Sequence, residues 1–328
     1  MQLATLPRYS LATLPTPLQR ARNLETALGP GCPRIYLKRD DLTGLAFGGN
    51  KARKLEFLLA DALNNDATIL ITEGAAQSNH ARMTAAAATI AGLRCLLILD
   101  ARHGADVGGN LLLDHLLGAE VRIVPDRVAR AEAMNCIGDE LHAAGERPYI
   151  VPTGGSVPLG AAAYVAMVEE LLAQLATVGD APSRLYFPSG SLGTQAGLMV
   201  GARAFSAPFR VLGVAVQPPV ETLRADCVTL ANGTAKLIGV DAGFTGEDVS
   251  LDGAFIGEAY GVPTAEGLEA IRLLARTEAV FLDPVYTGKA MAALFADIRS
   301  GTLSPHDAVI FLHTGGGPSL FAFGTQLL

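Results

Sequence analysis

The sequence predicts an α/β protein with open, twisted, mostly parallel sheets flanked by helices. Three observations support this: short apolar runs, longer stretches with helical spacing between them, and the alternation of the two along the chain. The runs predicted as strands are 35–40, 68–72, 94–100, 121–125, 149–153, 184–188, 211–217 and 309–314. This order is typical of strands joined by helical crossovers.

The stretches between the strands carry the helical period. In 51–63, Leu55, Leu58, Leu59 and Ala62 follow i, i+3, i+4, i+7 spacing, which predicts one buried helix face. Residues 163–176 and 265–276 show the same pattern. The least regular stretch, 218–262, is predicted to form loop and short helix.

Composition sets the class of protein. The chain has 328 residues, 50% of them hydrophobic and 17% charged, which excludes intrinsic disorder and favours two domains. The net charge is −7 and no Lys/Arg run occurs, so we expect neither a nucleic-acid partner nor an anionic membrane partner. No apolar stretch reaches the roughly 18 residues of a membrane helix.

The cysteines and the first residues indicate the compartment. Cys32, Cys95, Cys136 and Cys227 are scattered and lack the spacing of a metal site, so no metal is expected. They could pair as disulfides in an oxidising compartment, but free thiols in a reducing cytoplasm fit better. Residues 1–24 contain prolines where a signal peptide would have an apolar run, so a cytoplasmic location is expected.

Ligands of open α/β sheets bind where strands end and helices begin, so the loops at those places are informative. The first is Phe47-Gly48-Gly49-Asn50-Lys51, which opens a predicted helix with Asn50 as its N-cap. The positive end of the helix dipole should lower the pKa of Lys51 and raise its nucleophilic fraction. A lysine considered alone is more often a solvated surface residue.

The second and third loops are polar. Residues 73–80 place a hydroxyl, an amide and an imidazole after a strand, although Ser78 or Asn79 could simply cap the next helix. Residues 189–197 combine hydroxyls with helix N-terminal amides, an anion nest suited to phosphate. Their spacing, G-x-x-G-x-x-x-G, is not the dinucleotide pattern, and Gln217 stands where a ribose-binding acid is expected. NAD is therefore disfavoured.

Two segments near the C-terminus form the fourth unusual region. Asp283 to Lys289 and His313 to Gly317 each place small hydroxyl residues at a strand end or a helix start. His313 alone would be interpreted as structural. The His-Thr-Gly-Gly-Gly run after a buried strand favours a site.

Together these loops resemble one family of pyridoxal-5′-phosphate (PLP) enzymes, that of D-cysteine desulfhydrase and 1-aminocyclopropane-1-carboxylate deaminase. The matching segments are 37–63, 74–88, 152–165, 188–198, 260–267, 282–294 and 311–323. The resemblance implies PLP fold type II, the tryptophan-synthase-β-like fold. It implies a large PLP-binding domain of residues 1–47 and 163–328, a small α/β domain of residues 48–162, and a homodimer.

The resemblance also implies roles for single residues. Lys51 is expected to form the Schiff base with PLP, and Asn79 to hydrogen-bond the cofactor's 3′ oxygen. The implied phosphate cradle is Ser189, Gly190, Ser191, Leu192, Gly193 and Thr194, with Lys54 assisting. The substrate carboxylate is expected at Gln77, Ser78 and Asn79, beside Tyr286. The implied catalytic groups besides Lys51 are Ser78, Tyr260 and Tyr286.

Two positions divide this family. The resemblance implies that Thr287 and Thr314 lie by the pyridine nitrogen, where the deaminase branch has Glu and Leu. A neutral hydroxyl does not enforce protonation of that nitrogen as a carboxylate would, so the ring is a weaker electron sink. β-Elimination of a good leaving group needs a weaker sink than opening a cyclopropane ring. The threonine pair therefore favours the desulfhydrase branch.

The predicted activity is PLP-dependent β-elimination of D-cysteine, a small amino-acid substrate, to pyruvate, hydrogen sulfide and ammonia. L-Cysteate sulfo-lyase shares these motifs and stays open, as does 1-aminocyclopropane-1-carboxylate deaminase. From another class, a non-catalytic small-molecule binding protein would have no use for Lys51 in its Gly-Gly-Asn setting.

Overall fold

The computed structural model describes residues 1–101 and 107–327 and contains two sheets. The strands are β1 Leu18–Arg20, β2 Arg34–Lys38, β3 Ile69–Ala75, β4 Arg94–Asp100, β5 Glu120–Val124, β6 Pro148–Ile150, β7 Arg184–Ser189, β8 Arg210–Ala215, β9 Ser250–Asp252 and β10 Ala308–Leu312. One sheet has the order β1-β2-β10-β7-β8-β9 and the other β5-β4-β3-β6. All pairings are parallel except β1 with β2.

Helices cover the sheets and supply the crossovers. They are α1 Arg22–Leu28, α2 Lys51–Asn64, α3 Asn79–Ala91, α4 Gly109–Leu116, α5 Arg127–Ala143, α6 Pro158–Val178, α7 Gly193–Ala204, α8 Val220–Ile238, α9 Ala265–Glu278, α10 Thr287–Arg299 and α11 Gly324–Leu327. The predicted α/β class with mostly parallel sheets is confirmed, and each of the eight predicted strands is present. The strands β1 and β9 were missed because three residues are too few to show alternation.

The prediction of loop and short helix for 218–262 is wrong. Residues 220–238 form α8, a helix of 19 residues. Its buried face includes Leu223, Cys227, Ala231 and Ile238, which is a helical period. The Thr, Asn and Gly residues between them have low helix propensity, and packing against α6 and α7 overrides it.

The central strands of the six-stranded sheet lie deep in the hydrophobic core. Every residue of β10 is buried, as expected for a parallel strand covered on both faces. Helix α6 is long and apolar enough to span a membrane by composition alone, but half of that window is buried in this fold. It packs against α2, α7 and α8, as a core helix of a globular protein does.

A buried cluster of charged side chains links α2 to β2 and α6. The Arg53 guanidinium of α2 donates to Asp40 at 2.8 and 2.9 Å and to Glu170 of α6 at 2.9 Å. Lys38 of β2 also binds Glu170, and the Tyr164 hydroxyl donates to Asp40 at 2.7 Å. The cluster fixes α2, whose first residue is Lys51, against β2 and α6.

The two sheets divide the chain in sequence. All strands of the four-stranded sheet lie between residues 69 and 150, and those of the six-stranded sheet lie before and after them. The domain bounds 1–47 with 163–328 and 48–162 stay a prediction.

Candidate active site

A cavity of about 950 Å³ lies where strands of both sheets end and α2, α3 and α7 begin. This is the place at which open α/β sheets bind ligands. Most of the predicted site residues line it: Lys51, Ser78, Asn79, Ser189, Gly190, Ser191, Leu192, Thr194, Tyr260, Tyr286 and Thr314. This cavity is therefore the candidate active site, and the roles of these residues stay predictions.

The loop that carries Lys51 has a conformation only glycine permits at two positions. Gly48 has φ +69°, and a Cβ there would lie 2.0 Å from the Asp41 carbonyl oxygen. Gly49 has φ +132°, and a Cβ there would lie 2.7 Å from Met83 Cε. The two glycines let the chain pass close to its neighbours and direct Lys51 into the cavity.

Lys51 is shifted toward the neutral amine, in the predicted direction. Burial lowers its pKa to about 8, and the Lys54 side chain opposes this shift. Asn50 occupies the N-cap position but makes no capping bond, because its amide donates to Thr194 Oγ at 3.1 Å.

Lys54, one helical turn on, lies buried behind the cavity. Its Nζ donates to the Gly154 carbonyl at 3.0 Å, and a Cβ on Gly193 would lie 2.7 Å from that Nζ. Burial, and then the charge of Lys51, hold its pKa well below the usual value. Within the described residues neither amine has a carboxylate partner. An anion bound beside Gly193 would supply the missing negative charge.

The N-terminus of α7 offers amides for such an anion. Leu192 has φ 70°, which turns the chain sharply into the helix. The N–H groups of Thr194 and Gln195 have no acceptor among residues 1–101 and 107–327. Ser191 Oγ, bonded to Ser156 Oγ at 2.9 Å, and Thr194 Oγ stand beside them. Unpaired amides and hydroxyls at a helix N-terminus fit a phosphate.

Ser78 and Asn79 stand at the start of α3. Ser78 Oγ accepts a hydrogen bond from the Ala81 N–H at 3.2 Å, so the helix-cap interpretation is confirmed while the side chain still lines the cavity. Asn79 Oδ1 accepts from Asn110 Nδ2 at 3.0 Å. This leaves the Asn79 NH₂ group for the cavity.

The role of Gln77 in receiving the substrate carboxylate stays a prediction, and its side chain is occupied by neighbouring backbone groups. Its amide nitrogen donates to the Gly108 carbonyl at 3.0 Å, and its amide oxygen accepts from the Asn110 N–H at 2.9 Å. The side chain is therefore engaged at the start of α4 and does not line the cavity. Near the start of a helix, a glutamine side chain can pair with backbone groups that have no partner within the helix. A side chain used in this way is not available to bind a ligand.

The place of Thr287 by the pyridine nitrogen also stays a prediction, and its hydroxyl is engaged within the protein. Its hydroxyl donates to Asp283 Oδ1 at 2.7 Å and accepts from the Asp283 N–H at 2.7 Å. It is fully buried and does not line the cavity, whereas Thr314 does. The loop turns Thr287 inward because Asp283 serves as the acceptor for the start of α10.

Two tyrosines meet at the wall of the cavity. The Tyr260 and Tyr286 hydroxyls are hydrogen-bonded, and their rings meet edge to face with centroids 6.0 Å apart. Burial, followed by the neighbouring Tyr260, raises the pKa of Tyr286 well above its usual value. Tyr286 therefore keeps its hydroxyl hydrogen at neutral pH and can donate a hydrogen bond.

Sequence reasoning missed three residues that shape the site. Ser156 joins the phosphate loop through Ser191, Asn110 holds Asn79, and Asp283 organises the loop of Tyr286. The Gly-Gly pair before Ser156 was a usable signal. Gly154 has φ +71°, and a Cβ there would lie 2.0 Å from Ser191 Oγ. Asn110 had no signal, because its partners are distant in sequence.

The fold and the site define a class of protein. A lysine with a lowered pKa faces an anion-binding helix N-terminus in an open α/β fold, which suits a cofactor with a reactive carbonyl and a phosphate. Among the described residues no group of His, Cys, Asp or Glu could hold a metal ion. A family model described as "Pyridoxal-phosphate dependent enzyme" matches residues 9–315. The chain therefore belongs to the family of PLP-dependent enzymes, and its cofactor is pyridoxal 5′-phosphate.

Individual relatives cover nearly the whole chain. It is 41% identical to a D-cysteine desulfhydrase of Yersinia enterocolitica over 99% of this chain and 98% of the relative. It is 40% identical to one of Klebsiella pneumoniae over 99% and 98%. Among solved structures, an ACC deaminase homologue is similar, with a TM-score of 0.90, 37% identity and coverage of 99% and 97%. A threonine deaminase of T.th., with a TM-score of 0.65, 24% identity and 92% coverage of both chains, shares the fold.

Proposed function

We propose that this protein is a D-cysteine desulfhydrase, which converts D-cysteine and water to pyruvate, hydrogen sulfide and ammonia. The observation that carries the proposal is the identity of about 40% to relatives of that name over nearly the full chain. The cavity supports it with a reactive lysine, a phosphate site and paired tyrosines.

In this proposal each side chain has a task that its surroundings permit. Lys51 carries the cofactor covalently, Asn79 donates to its 3′ oxygen, and the amides of Thr194 and Gln195 bind its phosphate. PLP, when bound, supplies a ring that stabilises negative charge at the substrate α-carbon.

In the elimination, Lys51 would act as the base and the tyrosine pair would stabilise the leaving group. Burial lowers the pKa of Lys51 to about 8, which raises the fraction of neutral amine that can take the substrate α-proton at physiological pH. The C–S bond then breaks with loss of hydrosulfide, which keeps the thiol hydrogen, and the Tyr286 hydroxyl, paired with Tyr260, would donate a hydrogen bond to the leaving sulfur. Ser78, the residue before Asn79 at the start of α3, receives the substrate carboxylate.

A second candidate is 1-aminocyclopropane-1-carboxylate deaminase, because a solved ACC deaminase homologue is 37% identical with a TM-score of 0.90. Thr314 and the inward-turned Thr287 argue against it, since neither places a carboxylate in the cavity. A weaker electron sink suits loss of sulfide better than ring opening.

The proposal extends to assembly and location. A homodimer in the cytoplasm without nucleic-acid or membrane partners fits the acidic surface and the four free thiols. Leu112 and Leu116 share one exposed face of α4, and Phe321 is 83% exposed on a 3-10 helix that packs against α4. Exposed apolar residues of this kind suit a subunit contact.

A panel assay for pyruvate tests the activity. The substrates are D-cysteine, L-cysteine, β-chloroalanine, L-cysteate and 1-aminocyclopropane-1-carboxylate, the last scored for its ketoacid product. The proposal expects the highest kcat/KM on D-cysteine, with pyruvate and sulfide formed in equal amounts. A preference for L-cysteate with release of sulfite, or for the cyclopropane substrate, would overturn it.

A further inference from the structure

Helix α4 does not line the cavity, but the side chain of its residue Asn110 contacts the loop that carries Asn79. Asn110 is fully buried. Its Nδ2 donates to the Gln77 backbone carbonyl at 2.9 Å and to Asn79 Oδ1 at 3.0 Å. Its own N–H donates to the Gln77 side chain at 2.9 Å, which fixes the first turn of α4 against this loop.

These contacts fix the orientation of two side-chain amides, first that of Asn110 and then that of Asn79. A backbone carbonyl only accepts hydrogen bonds, so the Asn110 atom facing Gln77 must be the nitrogen. The second hydrogen of that nitrogen points at Asn79, so the atom of Asn79 that meets it must be the oxygen. The Asn79 nitrogen is then turned away from α4, on a side chain that lines the cavity.

We propose that Asn110 is a positioning residue that holds the Asn79 amide with its NH₂ group toward the cofactor's 3′ oxygen. The inference rests on the proposed place of Asn79 in the site. Without Asn110 the Asn79 amide is free to flip by 180°. In the flipped state Asn79 Oδ1 would face the cofactor's 3′ oxygen, and neither atom could donate a hydrogen bond to the other. The site thus uses a buried residue outside the cavity to select a donor over an acceptor.

The neighbouring position on α4 offers a matched control. Asp114 lies one turn after Asn110, is equally buried, and its carboxylate oxygens have no hydrogen-bond partner among the described residues. Burial raises its pKa to about 7, with Arg82 of α3 opposing the shift. Asp114→Asn therefore perturbs the same α3–α4 contact without touching Asn79.

The experiment is a double-mutant cycle on equilibrium PLP affinity, measured by adding PLP to cofactor-free protein. Asn110→Leu keeps the number and branching of the side-chain heavy atoms and removes both side-chain N–H donors. It should weaken PLP binding by about tenfold, the loss of one hydrogen bond to a charged group. It should also move the pH midpoint of the cofactor's visible band upward. Asp114→Asn should change neither.

The Asn79→Ala background separates positioning from packing. If Asn110 acts through Asn79, then Asn110→Leu weakens PLP binding no further once Asn79 is Ala. Equal effects in both backgrounds would make Asn110 a merely structural residue and overturn the proposal, as would unchanged affinity in Asn110→Leu. If Asn110→Leu does not fold, Asn110→Asp, which has the same shape, takes its place with the same expectations. Wild-type protein that binds no PLP would instead overturn the proposed function.

Discussion

At the scale of single residues, the candidate site places two lysine amines side by side, and neither has a carboxylate partner in the part of the chain that the structure describes. Burial lowers the pKa of both, but their chemistry differs because only Lys51 lines the cavity. We therefore propose that Lys51 reacts with the cofactor and that Lys54 attracts its phosphate. The same low-dielectric surroundings that make Lys51 nucleophilic make an anion near Lys54 favourable.

The lowered pKa of Lys51 predicts how PLP capture depends on pH. Below about 8 the amine is protonated and cannot attack the cofactor aldehyde, and above it the amine is neutral. The rate at which cofactor-free protein forms its visible band should therefore rise with pH to a plateau, with a midpoint near 8. Lys51→Arg, as the control, should form no band. A midpoint near 10.5, the usual lysine value, would show that Lys51 is not buried as described.

The phosphate loop predicts a loss of affinity on removal of single hydroxyls. Thr194→Ala or Ser191→Ala removes one hydrogen bond to a charged group, worth roughly 1.5–3 kcal/mol, so PLP affinity should fall about tenfold to a hundredfold. Equilibrium titration of cofactor-free protein measures it. Thr177→Ala is the control, since that exposed hydroxyl only bonds its own helix at Ala173. Unchanged affinity in both site variants would place the phosphate elsewhere.

At the scale of elements, helix starts carry most of the site. Lys51 begins α2, Asn79 begins α3, Thr194 is in the first turn of α7 and Tyr286 precedes α10. Unpaired N–H groups at these ends provide polar contacts that a ligand can take up. The exception is α10, whose N–H groups are already satisfied within the protein by Asp283.

Asp283 makes this helix start testable. Its carboxylate accepts from the N–H groups of Val285, Tyr286 and Thr287 at 2.8 to 2.9 Å. Asp283→Ala removes these acceptors, which should cost about 0.5–2 kcal/mol of stability or more, as loss of a helix cap does. It should also lower kcat, because the loop that holds Tyr286 loses its anchor.

Two variants serve as controls for this prediction, with thermal melting and kcat as the measurements. Asp283→Asn retains one acceptor oxygen and should have a smaller effect on both. Asp248→Ala removes a cap from an exposed 3-10 turn, so it should lower stability slightly and leave kcat unchanged. If Asp283→Ala melted like wild type, the carboxylate would not organise this loop.

Sequence reasoning succeeded where local pattern determines structure. The strands, the helix starting at Lys51 and the phosphate loop each follow from apolar period, glycine placement and cap chemistry. It could not give the direction of a side chain where that direction depends on a tertiary partner. Thr287 turns inward because Asp283 needs donors, and Gln77 turns to α4 because Gly108 and Asn110 need partners. Helix α8 was missed because weak propensities hid its buried face.

At the scale of the whole molecule, the charge cluster around Arg53 holds the reactive helix to the rest of the fold. Arg53 and Asp40 are almost entirely buried, so each charge is stabilised by the other and not by water. The Arg53 guanidinium outweighs burial and keeps the pKa of Asp40 below its usual value.

Arg53→Met tests the cluster. It leaves Asp40 and Glu170 without their shared cation, and breaking a buried pair in this way costs about 3–5 kcal/mol. The free energy of unfolding in urea, measured without cofactor, should fall by that amount. Arg299→Met, which breaks an exposed pair with Glu269, should change it by at most about 1 kcal/mol. Equal effects from the two variants would mean that the buried cluster contributes no more than a surface pair.

The central claim is that Lys51, and not the adjacent Lys54, carries PLP covalently in this cavity. Borohydride reduction of the PLP-loaded protein followed by peptide mass mapping tests it most directly. Reduction should bleach the visible band and leave the cofactor's mass on the peptide that contains Lys51, at Lys51 itself. A cofactor fixed at Lys54 or at any other lysine, or a protein that gains no band and no added mass, would contradict the account.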